Sequence, residues 1–337
     1  MKKVVTLGEI MLRLSPPGFL RFCQAQNFNV VYGGGESNVA ISLANYNIPT
    51  EFVTRLPNND IGKCALMELK KRNVKTDNII FGGDRLGIYF LEKGAVHRGS
   101  KVIYDRTHSA MSQIETGMID WDAVFKDAEW FHWTGITPAI SQSAADVCLE
   151  ALKIAKSRGI TISTDINHRK KLWNYGKKPS EVMPELIDYC DIIIGVYPQK
   201  KDIADKDGKV KAEAFLSVFK QMMKEFPNAK KVVSTIRGTV NASYNTWAGV
   251  LYDGKNFFTS PTYKITYIVD RIGGGDAFVG GLIYGLKTHQ GNNQFALNFA
   301  VAASCLKHTI NGDANLVVLE EVEKLLNNTA AYGQISR

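Results

Sequence analysis

Asp270-Arg-Ile-Gly-Gly-Gly-Asp-Ala-Phe-Val-Gly-Gly-Leu282 delivers one carboxylate, Asp276, through three glycines to the start of an apolar helical stretch. Successive small residues at a helix N-terminus leave backbone amides pointing outward, and the helix dipole adds partial positive charge where an anion would sit. A carboxylate beside such an anion hole can accept a proton from a hydroxyl while the amides hold charge on a migrating phosphoryl group. Read by itself, the stretch also suits a strand-to-helix turn with a capping aspartate.

Around this turn, apolar strand-like runs alternate with amphipathic stretches. Residues 4–7, 130–134, 160–166, 191–196 and 231–236 read as buried strands, and 61–72, 141–157, 212–225 and 294–307 as helices. The alternation predicts an α/β fold, a mostly parallel central sheet flanked by helices, with ligands at the carboxyl ends of the strands. Two segments break the rhythm. Residues 10–32 mix Pro16, Pro17 and Gly18 with short alternating pieces, and 87–92 pairs with 101–106 across a glycine-containing loop. Both read as antiparallel strands. They predict a small β-sheet lid over the ligand-binding end of the main sheet, with ordinary surface hairpins as the alternative. One domain over 1–337 is expected, with lid strands inserted at about 10–32 and 87–106.

At 337 residues the chain can bury a sizeable core, and 45% hydrophobic with 22% charged residues excludes a disordered polymer. The formal net charge is +8, yet the densest basic runs, Arg169-Lys170-Lys171 and Lys200-Lys201, are short. No basic stripe interleaved with aromatics marks a nucleic-acid surface, and an acidic small substrate accounts for the charge equally well. Cys23, Cys64, Cys148, Cys190 and Cys305 are odd in number and lack a C-x-x-C pair, the pattern of thiols in a reducing compartment. Glu9 and Arg13 interrupt the apolar N-terminal stretch, and no run reaches membrane-spanning length. Neither nucleic acid nor membrane is expected as a partner, and the expected location is the cytoplasm.

Gly33-Gly-Gly-Glu-Ser-Asn38 leads into a helical stretch at 39–46. Its glycines allow close backbone approach to a ligand, and Asn38 can both donate to and accept from hydroxyls; a plain helix-start turn capped by Ser37 or Asn38 uses the same residues. Together with the Gly-Gly-Gly-Asp turn and the α/β frame between them, it resembles the ribokinase-like sugar kinases of the PfkB family over nearly the whole chain. The resemblance implies phosphoryl transfer from ATP, with Mg²⁺, to a sugar hydroxyl. It also implies Asp276 as base and the amides of Gly273, Gly274 and Gly275 as anion hole. Gly274 stands where the family more often has alanine.

Within the family, the substrate side is similar to kinases of 2-keto-3-deoxygluconate at Gly33, Gly34, Gly35, Asn38, Tyr89, Tyr104-Asp-Arg106, Asp165-x-Asn167-x-Arg169 and Gly312-Asp313. Guanidinium groups recognise a carboxylate in a bidentate, permanently charged way, so Arg106 and Arg169 suit a sugar acid. Tyr89 and Tyr104 would reach hydroxyls from the lid. Singly, each arginine also reads as a surface ion-pair residue and each tyrosine as a half-buried strand residue. On the nucleotide side the resemblance implies Ser234, Thr235 and Gly238, in a loop after a strand, with Gly273, Gly275 and Asp313. Arg237 would touch a phosphate or solvent. After the strand at 191–195 the family commonly carries Asn-x-x-Glu, which helps to place Mg²⁺ through water. Here Val196-Tyr-Pro-Gln199 stands in its place, and the protein ligands of the metal stay unassigned.

The sequence thus points to ATP-dependent phosphorylation of the terminal hydroxyl of a sugar acid, 2-keto-3-deoxygluconate. One rival is a neutral-sugar, fructokinase-like kinase, which would leave the arginines no carboxylate to bind. Another is a sugar-binding sensor of the same fold, suggested by the replaced Asn-x-x-Glu. A homo-oligomer formed through the lid is a further expectation.

Overall fold

Val4, Val5, Thr6 and Leu7 are all fully buried, as a strand must be when helices cover both faces of its sheet. The computed structural model describes residues 1–169, 171–198 and 212–327. The first half of the chain runs β1 (Lys3–Leu7), β2 (Met11–Ser15), β3 (Asn29–Gly33), α1 (Gly35–Asn45), β4 (Thr50–Val53), β5 (Arg55–Leu56), α2 (Asp60–Lys71), β6 (Ile80–Phe81), β7 (Ile88–Glu92) and β8 (Lys101–Asp105). It continues through α3 (Trp121–Phe125), β9 (Ala128–Thr134), α4 (Thr137–Ile140), α5 (Gln142–Ser157), β10 (Thr161–Asp165), α6 (Pro179–Ile187) and β11 (Ile192–Ile194). The last part comprises α7 (Ala212–Glu225), β12 (Lys231–Thr239), β13 (Asn245–Tyr252), β14 (Phe257–Thr259), β15 (Tyr263–Ile265), α8 (Gly274–Thr288), α9 (Asn293–Lys307) and α10 (Leu319–Leu326).

The main sheet has the order β14-β13-β12-β11-β10-β9-β1-β4, with β15 also paired to β13. From β12 to β4 neighbours are parallel, and β13 with its partners is antiparallel. Alternate strand residues feed opposite cores. Val5, Leu7, Phe131 and Ile162 pack against α5, α6 and α7, whereas Val4, Trp130 and Val233 pack against α1, α8 and α9. Helix starts are fixed by side chains where the sequence supplies them: Asn59 accepts from Gly62 N at 3.0 Å and Ser141 from Ala144 N at 3.1 Å.

The two segments that break the rhythm form one small sheet, β3-β2-β7-β8. Its hairpin pairs β2–β3 and β7–β8 are antiparallel, and the segments join through a parallel β2–β7 pair. Met11, Tyr89 and Leu91 cluster on one face, with Tyr104 against them. Register puts Leu14 opposite Val30 and Phe90, and Phe90 opposite Ile103, on the other face, where Val30 is 58% and Ile103 53% exposed.

Two sequence readings change. Residues 234–238 are ladder residues of β12 rather than a loop, because β13 continues the antiparallel pairing as far as Thr239. The strand read at 191–196 shortens to Ile192–Ile194, since Gly195 takes φ +99°, a conformation open to glycine and not to a strand.

Candidate active site

A cleft of about 290 Å³ opens where the carboxyl ends of β9 and β10 meet the N-termini of α1 and α8 beneath the small sheet. Helix α1 starts at Gly35 after an extended Gly34, which draws Asn38 into its first turn. Gly33, Gly34, Gly35 and Asn38 line one wall, Gly273, Gly275 and Asp276 another, and Met11, Tyr89, Val102 and Tyr104 the side under the lid. Asp165, Asn167, Arg169, Arg237, Arg271 and Asp313 complete the lining with Ile136 and Ile272.

Asp276 accepts a hydrogen bond of 2.7 Å from Asn38 Nδ2. Burial raises its pKa to about 7, with Asp165, Asp313 and Glu36 adding repulsion and Asn38 opposing it. A carboxyl poised there can hold or release a proton near neutral pH, as a general base requires. The turn before it is built for an anion. Gly273 sits at φ +79° as N-cap of α8 and no side chain caps the helix. Gly274, expected in the anion hole, is buried outside the lining and its amide donates to Arg271 O at 3.3 Å, while the Gly275 amide is left for a ligand. A Cβ at Gly273 would run into the Asp313 carbonyl, whereas one at Gly275 would meet nothing. One at Gly274 would come within 2.7 Å of His308 Cε1, which accounts for glycine at this position.

The same cleft is lined by three guanidiniums, Arg169, Arg237 and Arg271, none ion-paired with a described residue. Arg237 lies 4.9 Å from the Trp247 ring centroid. Loss of water on that side, then the neighbouring cations Arg271 and Arg169, lower its pKa to about 10. Arg271 donates to Ala242 O at 2.7 Å. Asp165 is raised to about 6 by burial, against the pull of Arg169 and of the Asn167 amide at 3.0 Å. Three guanidiniums that form no ion pair among the described residues are available to anions, and the uncapped α8 turn beside them fits phosphate oxygens.

The expected residues divide into those the cleft unites and those it leaves out. Gly33, Gly34, Gly35, Asn38, Tyr89, Tyr104, Asn167, Arg169, Gly273, Gly275 and Asp276 all line it. Arg106, expected on the substrate carboxylate, does not: its guanidinium is buried against the Glu9 carboxylate and lies 5.8 Å from the Tyr104 ring centroid. Ser234, Thr235 and Gly238 are also outside the lining, held in the β12 ladder, and only Arg237 between them reaches it. Asp313 lines the cleft on the lid side, engaged by Arg13 at 2.6 Å and by the Tyr89 hydroxyl. Gln199 lies outside the described residues, and Val196 packs on the apolar core. Among the described residues no three His, Cys, Asp or Glu side chains gather to hold a metal.

Arg271 and Lys307 were not singled out from sequence. Arg271 had a signal, its place two residues before the glycines. Lys307 had none: it is fully buried at the end of α9, donates to Ile310 O at 3.2 Å, and burial lowers its pKa to about 8.

Residues 1–317 match the pfkB family carbohydrate kinases. The chain is 42% identical to a 2-dehydro-3-deoxygluconokinase of Thermotoga maritima, and the two structures share a TM-score of 0.90 over 97% of this chain and 100% of that one. It is 30% identical over 324 residues to a 2-dehydro-3-deoxygalactonokinase of Haloferax volcanii, covering 96% of each. A fructokinase of Xylella fastidiosa with bound ATP has the same fold at 21% identity, with a TM-score of 0.76 over 97% and 98% of the two chains.

Proposed function

Because the chain belongs to the pfkB family carbohydrate kinases and is thus an ATP-dependent sugar kinase, we propose that its acceptor is the terminal hydroxyl of 2-keto-3-deoxygluconate. The observation that carries this reading is one cleft holding Asp276, an uncapped glycine turn and three guanidiniums that form no ion pair among the described residues. A neutral sugar would leave Arg169 only the distant pull of Asp165, whereas a sugar acid supplies a carboxylate to pair with.

In this reading Asn38, Asn167 and the Gly33–Gly35 backbone hold sugar hydroxyls, Tyr89 and Tyr104 close over them, and Arg169 binds the carboxylate. Asp276 takes the proton of the attacking hydroxyl. The amides of Gly273 and Gly275 stabilise the charge that develops on the phosphoryl group, and Arg237 and Arg271 hold the remaining phosphates. ATP brings Mg²⁺ on its phosphates and water, an arrangement Mg²⁺ favours where protein carboxylates are few. Residues 1–337 act as one domain with lid strands inserted at 10–32 and 87–106. A homo-oligomer forms through the outer lid face, where Val30 and Ile103 stand exposed. The cytoplasm suits its five unpaired cysteines.

Replacing Asp276 by Asn keeps the shape and removes the base. It should lower kcat by about 10²- to 10⁴-fold while the sugar Kd, read by calorimetry, changes little. An Asn variant with near-normal turnover would remove Asp276 from the chemistry.

A further inference from the structure

One buried cation of the lid reaches both carboxylates that bracket the glycine turn. Arg13, on β2, is 1% exposed. Its Nη2 donates to Asp270 Oδ2 at 2.6 Å, its Nη1 to Asp313 Oδ1 at 2.6 Å and its Nε to Ser15 Oγ at 2.8 Å. Asp270 begins the segment that ends in Asp276, and it also accepts from Ile272 N at 3.1 Å and Gly312 N at 3.2 Å. Asp313 abuts Gly273 through its backbone carbonyl and accepts from the Tyr89 hydroxyl of β7. Lys93 approaches Asp270 at 3.5 Å from the end of β7. The guanidinium therefore ties the lid to the two loops that shape the turn.

Asp276 is faced by charge from every element around it. Glu36 lies on α1, Asp165 and Arg169 at the end of β10, Arg237 on β12, Lys307 on α9, and Arg271 and Asp313 on the flanking loops. Removing one partner from a buried ion-paired group leaves the other charge uncompensated, and a like charge nearby keeps a proton on a carboxyl. We propose that Arg13 is a positioning residue: with the lid seated, it neutralises Asp270 and Asp313 and so eases ionisation of Asp276. Its catalytic consequence rests on Asp276 being the base; its electrostatic content does not.

The test follows the Asp276 carboxyl by ¹³C NMR titration of the full chain, the signal assigned by its loss in Asp276→Asn. Arg13→Gln should move the titration up by about one pH unit, and Asp313→Asn, which removes an anion, should move it down. Arg13→Lys should stay close to the parent. Shifts of opposite sign support the proposal, because a merely structural role has no reason to reverse sign. An unmoved titration, or shifts of the same sign, overturns it. If Arg13→Gln does not fold, Asp313→Asn decides alone, a downward shift supporting and any other result contradicting. Turnover is not needed for this measurement, so failure of the sugar-acid kinase reading leaves the outcome intact.

Discussion

At the scale of single residues, two arginines that look alike in sequence are predicted to behave differently. Arg169 faces the cleft with no ionic partner among the described residues, whereas Arg106 is buried against Glu9. Arg169→Ala should weaken kcat/KM for the sugar acid by about 1.5 to 3 kcal/mol, the worth of a charge-assisted hydrogen bond, and hardly touch a neutral analogue. Arg106→Ala should instead cost about 3 to 5 kcal/mol of stability, because it strands the Glu9 carboxylate in the interior. Steady-state kinetics with paired substrates and denaturant unfolding separate the two; equal specificity losses from both variants would contradict the assignment. The Arg106 pairing was not legible beforehand because Glu9 lies 97 residues away in the chain, and Arg13 and Asp313 are 300 apart. Nothing local distinguishes such a pair from two unrelated surface charges. Asp276 was legible because its neighbours in sequence are also its neighbours in the site.

At the scale of elements, the lid is the part expected to move. Its inner face contributes Tyr89 and Tyr104 to the cleft, and closing it would keep water from the reacting phosphate. Saturating sugar should protect amides of residues 87–106 from hydrogen exchange, and unchanged exchange there would take the lid out of the mechanism. Much of this architecture could be read in advance. Strands buried on both faces, such as Val4 to Leu7, leave continuous apolar runs, and amphipathic helices such as α5 leave a 3.6-residue period. Readings failed at strand ends. Residues 234–238 carry a hydroxyl pair, an arginine and a glycine that suit a loop, but their fate was decided by β13, whose pairing is a tertiary fact. The segment at 10–32 showed only short alternating pieces, and its parallel union with β7 depends on a contact its own sequence does not encode.

At the scale of the whole molecule, the outer lid face and the cleft make separate predictions. Val30 and Ile103 are exposed apolar side chains on a sheet that faces solvent, so charging both as Val30→Lys with Ile103→Lys should convert an oligomer to a monomer in sedimentation velocity; an unchanged sedimentation coefficient would exclude this face. The net charge of +8 is spread widely, and inside the cleft three guanidiniums stand with the carboxyls of Asp165, Asp276 and Asp313 around a turn made for phosphate. With Arg237 and Arg271 on the phosphates, Arg169 is what ties the overall reading to a sugar acid instead of a neutral sugar. ADP release measured across 2-keto-3-deoxygluconate, its galactonate counterpart, gluconate, fructose and ribose tests this claim most directly. The account predicts that a 2-keto-3-deoxy sugar acid exceeds fructose and ribose in kcat/KM by about 10²-fold or more, since a site built to hydrogen-bond a substrate group rejects analogues lacking it. Comparable or faster turnover of a neutral sugar would contradict it.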